Sequence, residues 1–363
     1  MQLTERAREL INKYSSALAK SYGIDVSAVS RQFSVTEPKE IKLRNALLES
    51  QSFLQQIVVT DVDQISGAVV PVGAAGLHTG RRKKGRFVKQ VGVDGREYKL
   101  VETDSCAQLL WSLLCTWANA GSENEFFQKV NDFANDSFAL DMLRIGFNGR
   151  FIAEDTDDEL YPMGEDVNIG WHQLAKDYKD GIQVITDPVT LGEGGDYPTL
   201  DSMVSDLVNA KIPAQFREDP RLVVLIGADL AAAEQHRLYS AATTPSEKIA
   251  AQLLTSSIAG RPAYVPPFMP GKRLIVTSLT NLHIYTQRNT RQREADHNGD
   301  EKAYESKYWR MEGYALEMPE LYAAFDEEAV TVLKPEKKVP ETRTAIDTET
   351  DNETVSEPAK ELV

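Results

Sequence analysis

The stretch Glu123–Asn148, ENEFFQKVNDFANDSFALDMLRIGFN, carries the longest helical hydrophobic period in the sequence. Its apolar residues recur at steps of three or four, which places them on one face of an α-helix. These residues are Phe127, Val130, Ala134, Phe138, Met142 and Ile145. At 1.5 Å per residue, roughly 25 residues form a rod of about 37 Å, long enough to support a whole sheet. The pattern predicts one long helix, called here the spine helix.

Both ends of the spine helix carry boundary signals. Ser122 is suited to the N-cap position, and Glu123 and Glu125 place negative charge in the first turn. Gly146 or Gly149 can supply the left-handed residue that ends a helix. The signals at the two ends therefore agree with one helix between them.

Length and composition indicate a folded protein of more than one compact unit. The chain has 363 residues, of which 42% are hydrophobic, so substantial cores are expected. It has no apolar run of about eighteen residues and begins with a charged, amphipathic segment, which predicts neither a membrane span nor a signal peptide. Its two cysteines, Cys106 and Cys115, fit no common metal or redox spacing. We interpret both as buried free thiols.

The distribution of charge separates one segment from the rest of the chain. A formal net charge of -15 argues against a protein whose main ligand is nucleic acid, because each phosphate contact needs Lys or Arg. A single basic run is formed by Arg81, Arg82, Lys83, Lys84 and Arg86. Such a run is either the solvated face of a loop or a contact surface, and the residues alone leave both interpretations open.

Two helices are predicted at the N-terminus. The first is followed by a turn at Tyr22–Asp25, and the second begins at Thr36-Glu37-Pro38, where proline suits the first helical turn. The polar stretch Ser30–Val35 separates them, so we interpret the first helix as a small unit of its own. The apolar positions are Leu3, Ala7, Leu10, Ile11, Tyr14 and Leu18, then Ile41, Leu47, Leu48 and Phe53 or Leu54.

Residues 65–105 are predicted to form a long β-hairpin loop. β-Branched runs occur at Ile57–Val59 and Ala68–Val70, and Asp94-Gly95 separates two further strand-like runs. The segment has too few apolar residues for a core of its own, so we expect a contact outside the subunit to stabilise it. The glycines around the basic run are Gly73, Gly76, Gly80 and Gly85.

Helical and strand patterns alternate after the acidic link Glu154–Glu159, which predicts an α/β domain. Leu222–Ile226 is a continuous apolar run, typical of a strand buried on both faces. Strand-like pattern returns from Lys307 to Val330, and beyond Pro335 a Pro-, Thr- and Glu-rich composition predicts a disordered acidic tail. The remaining predicted elements are helices Leu200–Val208, Ala228–Tyr239 and Ser246–Leu254, and strands Leu274–Thr277 and Leu282–Tyr285.

The loop Gly192–Asp196 is the nearest approach to a phosphate-binding motif, because a helix follows it and helix N-termini offer free amide donors. It lacks the G-x-x-x-x-G-K-S/T pattern, and Glu193 and Asp196 would repel a phosphate. A tight turn is the favoured interpretation. The alternative is an α/β enzyme that binds a nucleotide at this loop.

No pattern predicts a metal, cofactor or catalytic site. Asp155, Asp157 and Asp158 are spaced like the start of a calcium loop, but Leu160 stands where the sharp turn needs glycine and Asp166 where the last ligand should be glutamate. We interpret this segment as an acidic solvated loop. Neither cysteine has the surroundings of a nucleophile, and no serine elbow is present. No two histidines have the spacing of a helical metal site; they are His78, His172, His236, His283 and His297.

Five blocks of sequence are informative when they are taken together. They are Tyr22–Val26 with Arg31–Val35, Leu140-Asp141 with Ile145–Gly149, Gly170-Trp171, Gly194–Tyr197 with Leu200-Asp201, and Glu218–Val224. In order and spacing they resemble the major capsid proteins of temperate contractile-tailed phages of the peduovirus type. The resemblance covers residues 1–330, is patchy between 65 and 120, and stops before the tail.

The resemblance implies an α+β, Hong Kong 97-like phage capsid fold. This fold has an N-arm, an extended β-hairpin loop, a peripheral domain with a long spine helix, and an axial α/β domain. The implied map is an N-terminal helical assembly segment at 1–33, the N-arm at 34–62, the extended loop at 63–105, the peripheral domain at 106–153 and 300–333, the axial domain at 160–295, and the acidic tail at 334–363.

The implied function is that of a major capsid protein, a structural protein and not an enzyme. Such proteins self-assemble into hexamers and pentamers of an icosahedral procapsid and mature head that enclose double-stranded DNA. The implied partners are further copies of the chain, a phage scaffold or maturation protease, the portal protein and non-specifically bound double-stranded DNA. The implied location is the virion, after assembly in the cytoplasm of the host bacterium.

Two sets of candidate site residues come from the resemblance. Removal of the N-terminal segment by a protease implies processing near Phe33 and Ser34. In the family the extended loop lies across a neighbouring subunit, so the basic run is a candidate inter-subunit contact. The residues of that run are Arg81, Arg82, Lys83, Lys84 and Arg86.

Overall fold

The computed structural model describes residues 2–69, 79–85, 97–241 and 257–333. No helix in these ranges has the length and apolar character needed to cross a membrane. The predicted helix Ser246–Leu254, the Asp94-Gly95 turn and the tail 334–363 lie outside the described residues. The helices are α1 (Glu5–Tyr22), α2 (Glu37–Ser50), α3 (Trp111–Ala120), α4 (Glu123–Asn148), α5 (Trp171–Asp177), α6 (Leu200–Lys211) and α7 (Ala228–Ala241).

Within the described residues, the strands form two six-stranded sheets and two short ladders. Sheet A contains β1 (Phe33–Ser34), β2 (Val58–Val62), β5 (Val101–Leu110), β12 (Leu282–Gln287), β13 (Gln292–Asn298) and β14 (Ala303–Leu316). Sheet B contains β6 (Val184–Ile185), β8 (Leu222–Ile226), β9 (Ser257–Ile258), β10 (Arg261–Tyr264), β11 (Leu274–Ser278) and β15 (Ala323–Phe325). The ladders pair β3 (Ser66–Ala68) with β4 (Glu97–Lys99), and β7 (Val189–Leu191) with β16 (Val330–Val332).

The predicted spine helix is α4, and its N-terminal signals are confirmed. Ser122 and Glu125 form a capping box, in which the Glu125 amide donates to Ser122 Oγ and the Ser122 amide donates to Glu125 Oε2. The C-terminal signal differs from the expected left-handed glycine, because the C-cap Gly149 has a φ of −56°. Gly146 lies inside the helix, where a Cβ atom would be 2.5 Å from the ring of Trp171.

The apolar face of α4 contributes to three parts of the core. Five of its six predicted positions are buried, but at the start of the helix Phe126, 1% exposed, is buried in place of Phe127. Phe127 is partly buried against the same cluster, with its ring centroid 5.6 Å from that of Tyr14. The confirmed positions are Val130, Ala134, Phe138, Met142 and Ile145.

The long strand β14 is the centre of sheet A. It pairs on one side with β5, from Ala303 opposite Leu110 to Glu312 opposite Val101. On its other side it pairs antiparallel with β13 and then with β12. β2 lies parallel to β12, and β1 lies antiparallel to β13. Sheet A therefore joins segments from the start, middle and end of the described chain.

Helix α1 is present where the pattern predicts it, but its interpretation as an independent unit is wrong. Its apolar face forms one wall of a core shared with α3, α4 and sheet A. The stretch Ser30–Val35 is exposed at Ser30, Arg31, Gln32 and Ser34, but it is held to sheet A, because β1 pairs with β13 and Val35 is buried. The buried residues of α1 are Ala7, Leu10, Ile11, Tyr14, Leu18 and Ala19.

Helix α2 starts at the predicted position, with Thr36 as the N-cap and a proline in its first turn. Its buried face differs from the prediction, since Ile41 is 45% exposed whereas Glu40, Leu43 and Leu47 are buried. A buried glutamate on the apolar face explains why the hydrophobic pattern alone misplaced that face.

Sheet B has an apolar interior, as its sequence pattern predicts. All five residues of β8 are buried, and α6 covers the sheet with its predicted apolar residues. The pairing of the strands does not follow the expected domain boundaries, in which the axial domain ends at residue 295 and the peripheral domain resumes at residue 300. Strands β12 and β13 pair in sheet A, and β15 pairs in sheet B. The chain therefore passes from sheet B to sheet A and back again between β11 and β15.

Candidate assembly surface

The base of the extended loop is an antiparallel ladder, which confirms the predicted hairpin at this point. Ser66 faces Lys99, Gly67 faces Tyr98, and Ala68 faces Glu97. A Cβ atom on Gly67 would lie 2.7 Å from Tyr98 Oη, so only glycine leaves room for the tyrosine ring.

Aromatic contacts attach this base to sheet A. The ring centroids of Tyr98 and Tyr285 are 4.7 Å apart. Tyr285 lies in β12, and its hydroxyl is 2.7 Å from His283 Nδ1. A Cβ atom on Gly313 in β14 would lie 2.5 Å from the Lys99 carbonyl oxygen, which shows how closely β4 approaches the sheet. The root of the loop is therefore positioned by packing within the subunit.

The basic run lies between β3 and β4 in the chain. Arg81, Arg82, Lys83 and Lys84 are exposed, and Gly85 has a left-handed φ of +80°. Within the described ranges no carboxylate forms an ion pair with these four side chains. Arg86, which the sequence grouped with them, lies outside the described residues. The four cations are therefore available at the surface of the subunit.

A buried charge network attaches the N-arm to sheet A. Arg291, 1% exposed, lies between Asp61 of β2 and Glu40 of α2, with its Nη1 atom 3.4 Å from Glu40 Oε2 and its Nη2 atom donating to Asp61 Oδ1. Arg44 Nη1 donates to Asp61 Oδ2 at 2.8 Å. Burial raises the pKa of Glu40, although the Arg291 guanidinium opposes this shift.

This network could not be predicted from the sequence, because its members are far apart along the chain. One local signal was present, since Glu40 lies on the same helical face as Leu43 and Leu47. A charged residue on an apolar face needs a buried partner. The identity of that partner follows only from the tertiary structure.

The candidate processing residues lie at the edge of sheet A. Phe33 is paired with Arg293, and Ser34 is paired with Gln292. The Phe33 ring lies 5.2 Å from the ring of Tyr22, whose hydroxyl accepts a hydrogen bond of 3.0 Å from Arg293. A protease that cleaves here must first displace β1 from β13.

The loop Gly192–Asp196 is a closed turn, which confirms the favoured interpretation. The Asp196 carboxylate accepts hydrogen bonds from the amide and hydroxyl of Thr190 at 2.9 and 2.8 Å, and these bonds lower the pKa of Asp196. The amides of Gly192, Gly195 and Tyr197 donate to carbonyl groups of the same turn. The N-terminus of α6 is capped separately by Thr199. These amides are therefore not available as a phosphate cradle.

A cluster of His172, Asp326 and Glu327 brings three possible metal ligands within 4.8 Å of one another. The two carboxylates already have cationic partners, because Lys176 pairs with Asp326 and Arg273 makes two 2.8 Å contacts with Glu327. Burial, assisted by the positive charge of Arg273, lowers the pKa of His172 to about 4. Lys176 and Arg273 therefore neutralise the two carboxylates of the cluster, as a metal ion otherwise would. Its members are too distant in sequence for a motif to predict it.

The acidic segment after α4 uses its carboxylates to hold its own backbone. Asp166 is buried and accepts a 2.8 Å hydrogen bond from the Asp157 amide. Asp157 in turn accepts hydrogen bonds from the amides of Glu159 and Leu160. This arrangement is a turn motif, in agreement with the interpretation as an acidic loop.

The two cysteines have different surroundings. Cys115 in α3 is buried, as predicted, but Cys106 in β5 is exposed. The prediction for Cys106 was wrong because β5 alternates strictly between buried and exposed residues, and Cys106 falls on the exposed side.

Comparison with solved structures identifies the fold. The chain is similar to a chain of the satellite phage P4 procapsid that includes the size determination protein, with a TM-score of 0.72 and 24% identity. The match covers 89% of this chain and 98% of that chain. The fold is therefore that of a Hong Kong 97-like phage capsid protein, as the resemblance implied.

Sequence comparison identifies the family. The pattern of the P2 family of phage major capsid proteins matches residues 10–328, so the chain belongs to this family. It is 27% identical over 313 residues to the capsid proteins of Escherichia phage P2, covering 82% of this chain and 87% of the relative. It is 25% identical over 299 residues to the major capsid protein of Serratia phage KSP20, covering 77% and 84%. The chain is thus a shell-forming phage capsid protein, and membership of this family indicates a structural role in place of the nucleotide-binding enzyme alternative.

Proposed function

We propose that this chain assembles as hexamers and pentamers into an icosahedral procapsid and mature head that enclose the double-stranded DNA of a tailed phage. The observation that carries the proposal is the family match, which spans the arm, the loop and both sheets. The exposed basic residues Arg81–Lys84 support it, because they lie between two strands that are anchored to the subunit, and exposed cations are suited to contact another subunit. The role is geometric, and no catalytic step is involved.

Electron microscopy of the expressed full-length chain tests this proposal. Negative staining should show shells, tubes or separate capsomers. Small, uniform particles at every protein and salt concentration would contradict it. Salt should alter the assembly rate, because charged contacts between subunits are screened at high ionic strength.

A maturation protease is proposed to cleave the chain between Phe33 and Ser34. The N-terminal segment precedes the arm, and it is joined to the arm through the two-residue strand β1. Intact-mass measurement on DNA-filled particles should give a chain that begins close to Ser34. Full-length chains in mature heads would refute this processing step.

The basic run is proposed to contact a neighbouring subunit rather than DNA. Exposed ion pairs contribute only about 0 to 1 kcal/mol each, but a lattice repeats them in every subunit. Changing all five basic residues to serine should leave the melting temperature of the subunit nearly unchanged and slow or misdirect shell formation. Normal assembly with reduced DNA packaging would show that the loop faces the genome. The residues are Arg81, Arg82, Lys83, Lys84 and Arg86.

The remaining partners follow from the proposed role in the virion. A procapsid that fills with DNA needs a scaffold and maturation protease during assembly and a portal protein at one vertex. DNA inside the shell is contacted without sequence specificity, consistent with the net charge of -15. Assembly takes place in the host bacterial cytoplasm. Co-purification of portal and protease with procapsids from infected cells is the corresponding measurement.

A further inference from the structure

Four arginines are buried among the described residues, and three of them form ion pairs with carboxylates. The three are Arg273, Arg291 and Arg310. The fourth, Arg293 of β13, is 6% exposed and has no carboxylate partner within the described ranges. Its Nη1 atom donates to the Tyr22 hydroxyl at 3.0 Å, and its Nη2 atom donates to Ser306 Oγ at 3.1 Å. Neutral acceptors do not cancel the charge of a buried guanidinium group, so an anion that enters this region is stabilised there.

The Arg293 side chain lines a cavity of about 340 Å³. Helices α1, α2 and α4 form the walls of this cavity together with β13. Sites for small molecules in proteins have volumes of about 300–1,000 Å³. The cavity therefore has room for a small organic molecule but not for a folded partner.

Positive charge collects at this cavity. Lys39 and Lys42 of α2 line it together with Arg293, and the first lysine is half-buried whereas the second is exposed. Among the described residues that line the cavity there is no aspartate or glutamate. The ion pairs that α2 forms within the described ranges involve Glu40 and Arg44, and neither lysine. Three cations without an acid, in a chain with a net charge of -15, make this cavity suited to an anion.

The remaining walls of the cavity are largely aromatic and aliphatic. Tyr14 and Phe127 line it with their ring centroids 5.6 Å apart, and the Tyr14 hydroxyl donates to Asn131 Oδ1 at 2.8 Å. The ring of Tyr22 lies 5.8 Å from the Arg293 guanidinium carbon. Aromatic side chains of this kind pack well against a flat ring, in edge-to-face or offset arrangements. The site therefore offers an apolar surface next to its positive charge.

We propose that this cavity is a binding site for a small organic anion that carries an aromatic ring. The anionic group, a carboxylate, phosphate or sulfonate, pairs with Arg293 and is attracted by Lys39 and Lys42. The ring of the ligand packs against the aromatic side chains of α1 and α4. This inference goes beyond the proposed assembly function and does not depend on it.

The position of α1 gives the site a further property. Tyr14, Leu18 and Tyr22 of α1 supply one wall, so a bound anion contacts the N-terminal segment and the arm at the same time. A ligand that binds only when α1 is in place opposes the detachment of α1, because binding and detachment are linked equilibria. If residues 1–33 are removed as proposed above, the site is present before processing and absent after it.

Calorimetric titration of the full-length, unassembled chain tests the site with two matched probes. Naphthalenesulfonate is the anionic probe, and naphthalenesulfonamide has nearly the same shape without the charge. The sulfonate should bind once per chain, at least about ten-fold more tightly than the sulfonamide, because only the sulfonate pairs with the buried guanidinium group. Equal affinities of the two probes, or no binding of the sulfonate, overturn the inference.

Substitutions locate the binding. Arg293→Met should abolish the preference for the sulfonate. The variant K39M/K42M changes surface residues of α2 and should weaken sulfonate binding by about ten-fold, so it remains informative if Arg293→Met does not fold. The control K129M/K272M removes two exposed lysines that do not line the cavity and should bind as the unchanged protein does. Unchanged affinity in K39M/K42M, or an equal loss in the control, contradicts the site.

Limited proteolysis checks that the anion holds α1 in place. Trypsin can cleave after Lys13 and Lys20 of α1 only when this helix opens, so the cleavage rate reports the open population. At about ten times its Kd, the sulfonate should slow cleavage at these positions about ten-fold, and the sulfonamide at the same concentration should have little effect. Binding of the sulfonate without protection of α1 would place the ligand elsewhere and overturn the inference.

Discussion

The interiors of the two sheets differ in chemistry. In sheet B, the five residues of β8 are all buried and all apolar. In sheet A, the central strand β14 instead buries Arg310 and Glu312, which are 2% and 1% exposed. Arg293 of β13 is buried as well, and the N-arm adds Glu40 opposite Arg291. Within the described strands, sheet B buries no charged side chain, and its buried charges Arg273 and Asp326 lie just beyond the ends of β11 and β15. Sheet A buries charge within its strands.

The difference follows from how each sheet is put together. Sheet B packs on the apolar face of α6. Many combinations of large aliphatic side chains can fill such an interface. Sheet A collects segments that are far apart in sequence, from the N-arm to β14. Buried charges tolerate few alternative partners, because an unpaired charge in a core is strongly destabilising. We infer that the charge pairs of sheet A help to select which segments meet, at some cost in stability.

The Arg310 site shows how complete such a network is. Arg310 Nε donates to Glu312 Oε2 at 2.6 Å, and its Nη1 donates to Ser105 Oγ at 2.9 Å. The Tyr314 hydroxyl lies 3.0 Å from both Glu312 Oε1 and the Met142 carbonyl oxygen, which links the network to the spine helix α4. Burial and the adjacent Glu312 charge raise the pKa of Tyr314 well above its ordinary value.

The largest effect is expected from breaking this network. Arg310→Met should lower the free energy of unfolding by about 3–5 kcal/mol, because the buried charge of Glu312 loses its cationic partner and keeps only the hydrogen bond from Tyr314. Denaturant unfolding of the unassembled subunit measures this. Arg310→Met combined with Glu312→Leu should recover most of the loss, since no charge then remains unpaired. Equal losses in the single and double variants would show that side-chain shape, and not charge pairing, is what matters there.

The corresponding change in sheet B should be smaller and should depend on volume alone. Leu225→Ala in β8 should cost about 2–4 kcal/mol through the cavity that it creates. Leu225→Met keeps the volume and should cost less than about 1.5 kcal/mol. The same unfolding experiment applies to both variants. A methionine variant as unstable as the alanine variant would mean that sheet B is as selective as sheet A.

An intermediate effect is expected at His172, a buried base whose Nε2 atom has no hydrogen-bond partner. Its pKa falls from 6.5 to about 4 on folding, so the folded state resists protonation and loses stability as the pH falls through this window. The full loss for this shift is about 3 kcal/mol. His172→Gln should remove most of the pH dependence between pH 6.5 and 4. An unchanged slope in the variant would assign that dependence to other groups.

The smallest effects are expected at the two cysteines. Cys115 lies in the interior beside sheet A, whereas Cys106 lies on the exposed side of β5. Cys115→Ser should cost about 1–2 kcal/mol, because a hydroxyl replaces a buried thiol. Cys106→Ser should change the stability by less than about 0.5 kcal/mol, as for most exposed positions. Thermal unfolding of the two variants side by side is the measurement. Equal destabilisation would contradict the exposure of Cys106.

Local patterns in the sequence determined the elements themselves. The capping signals and period of α4, the start of α2 at Thr36, the apolar face of α6 and the buried strand β8 could all be predicted. These features depend on neighbours within a few residues, so their physical causes lie within a short stretch of sequence. The five blocks of the resemblance then led to the capsid family, which the comparisons confirm.

Only the tertiary structure decided which elements meet. It placed β12 and β13 in sheet A and β15 in sheet B, and it packed α1 into a shared core. It also brought Glu40 to Arg291 and left Cys106 exposed beside Lys307. Pairing energies of this kind depend on the partner as much as on the residue itself. A charged residue on an apolar face, or a strand of alternating polarity, therefore indicates that a partner is needed. Only the tertiary structure shows which residue or strand that partner is.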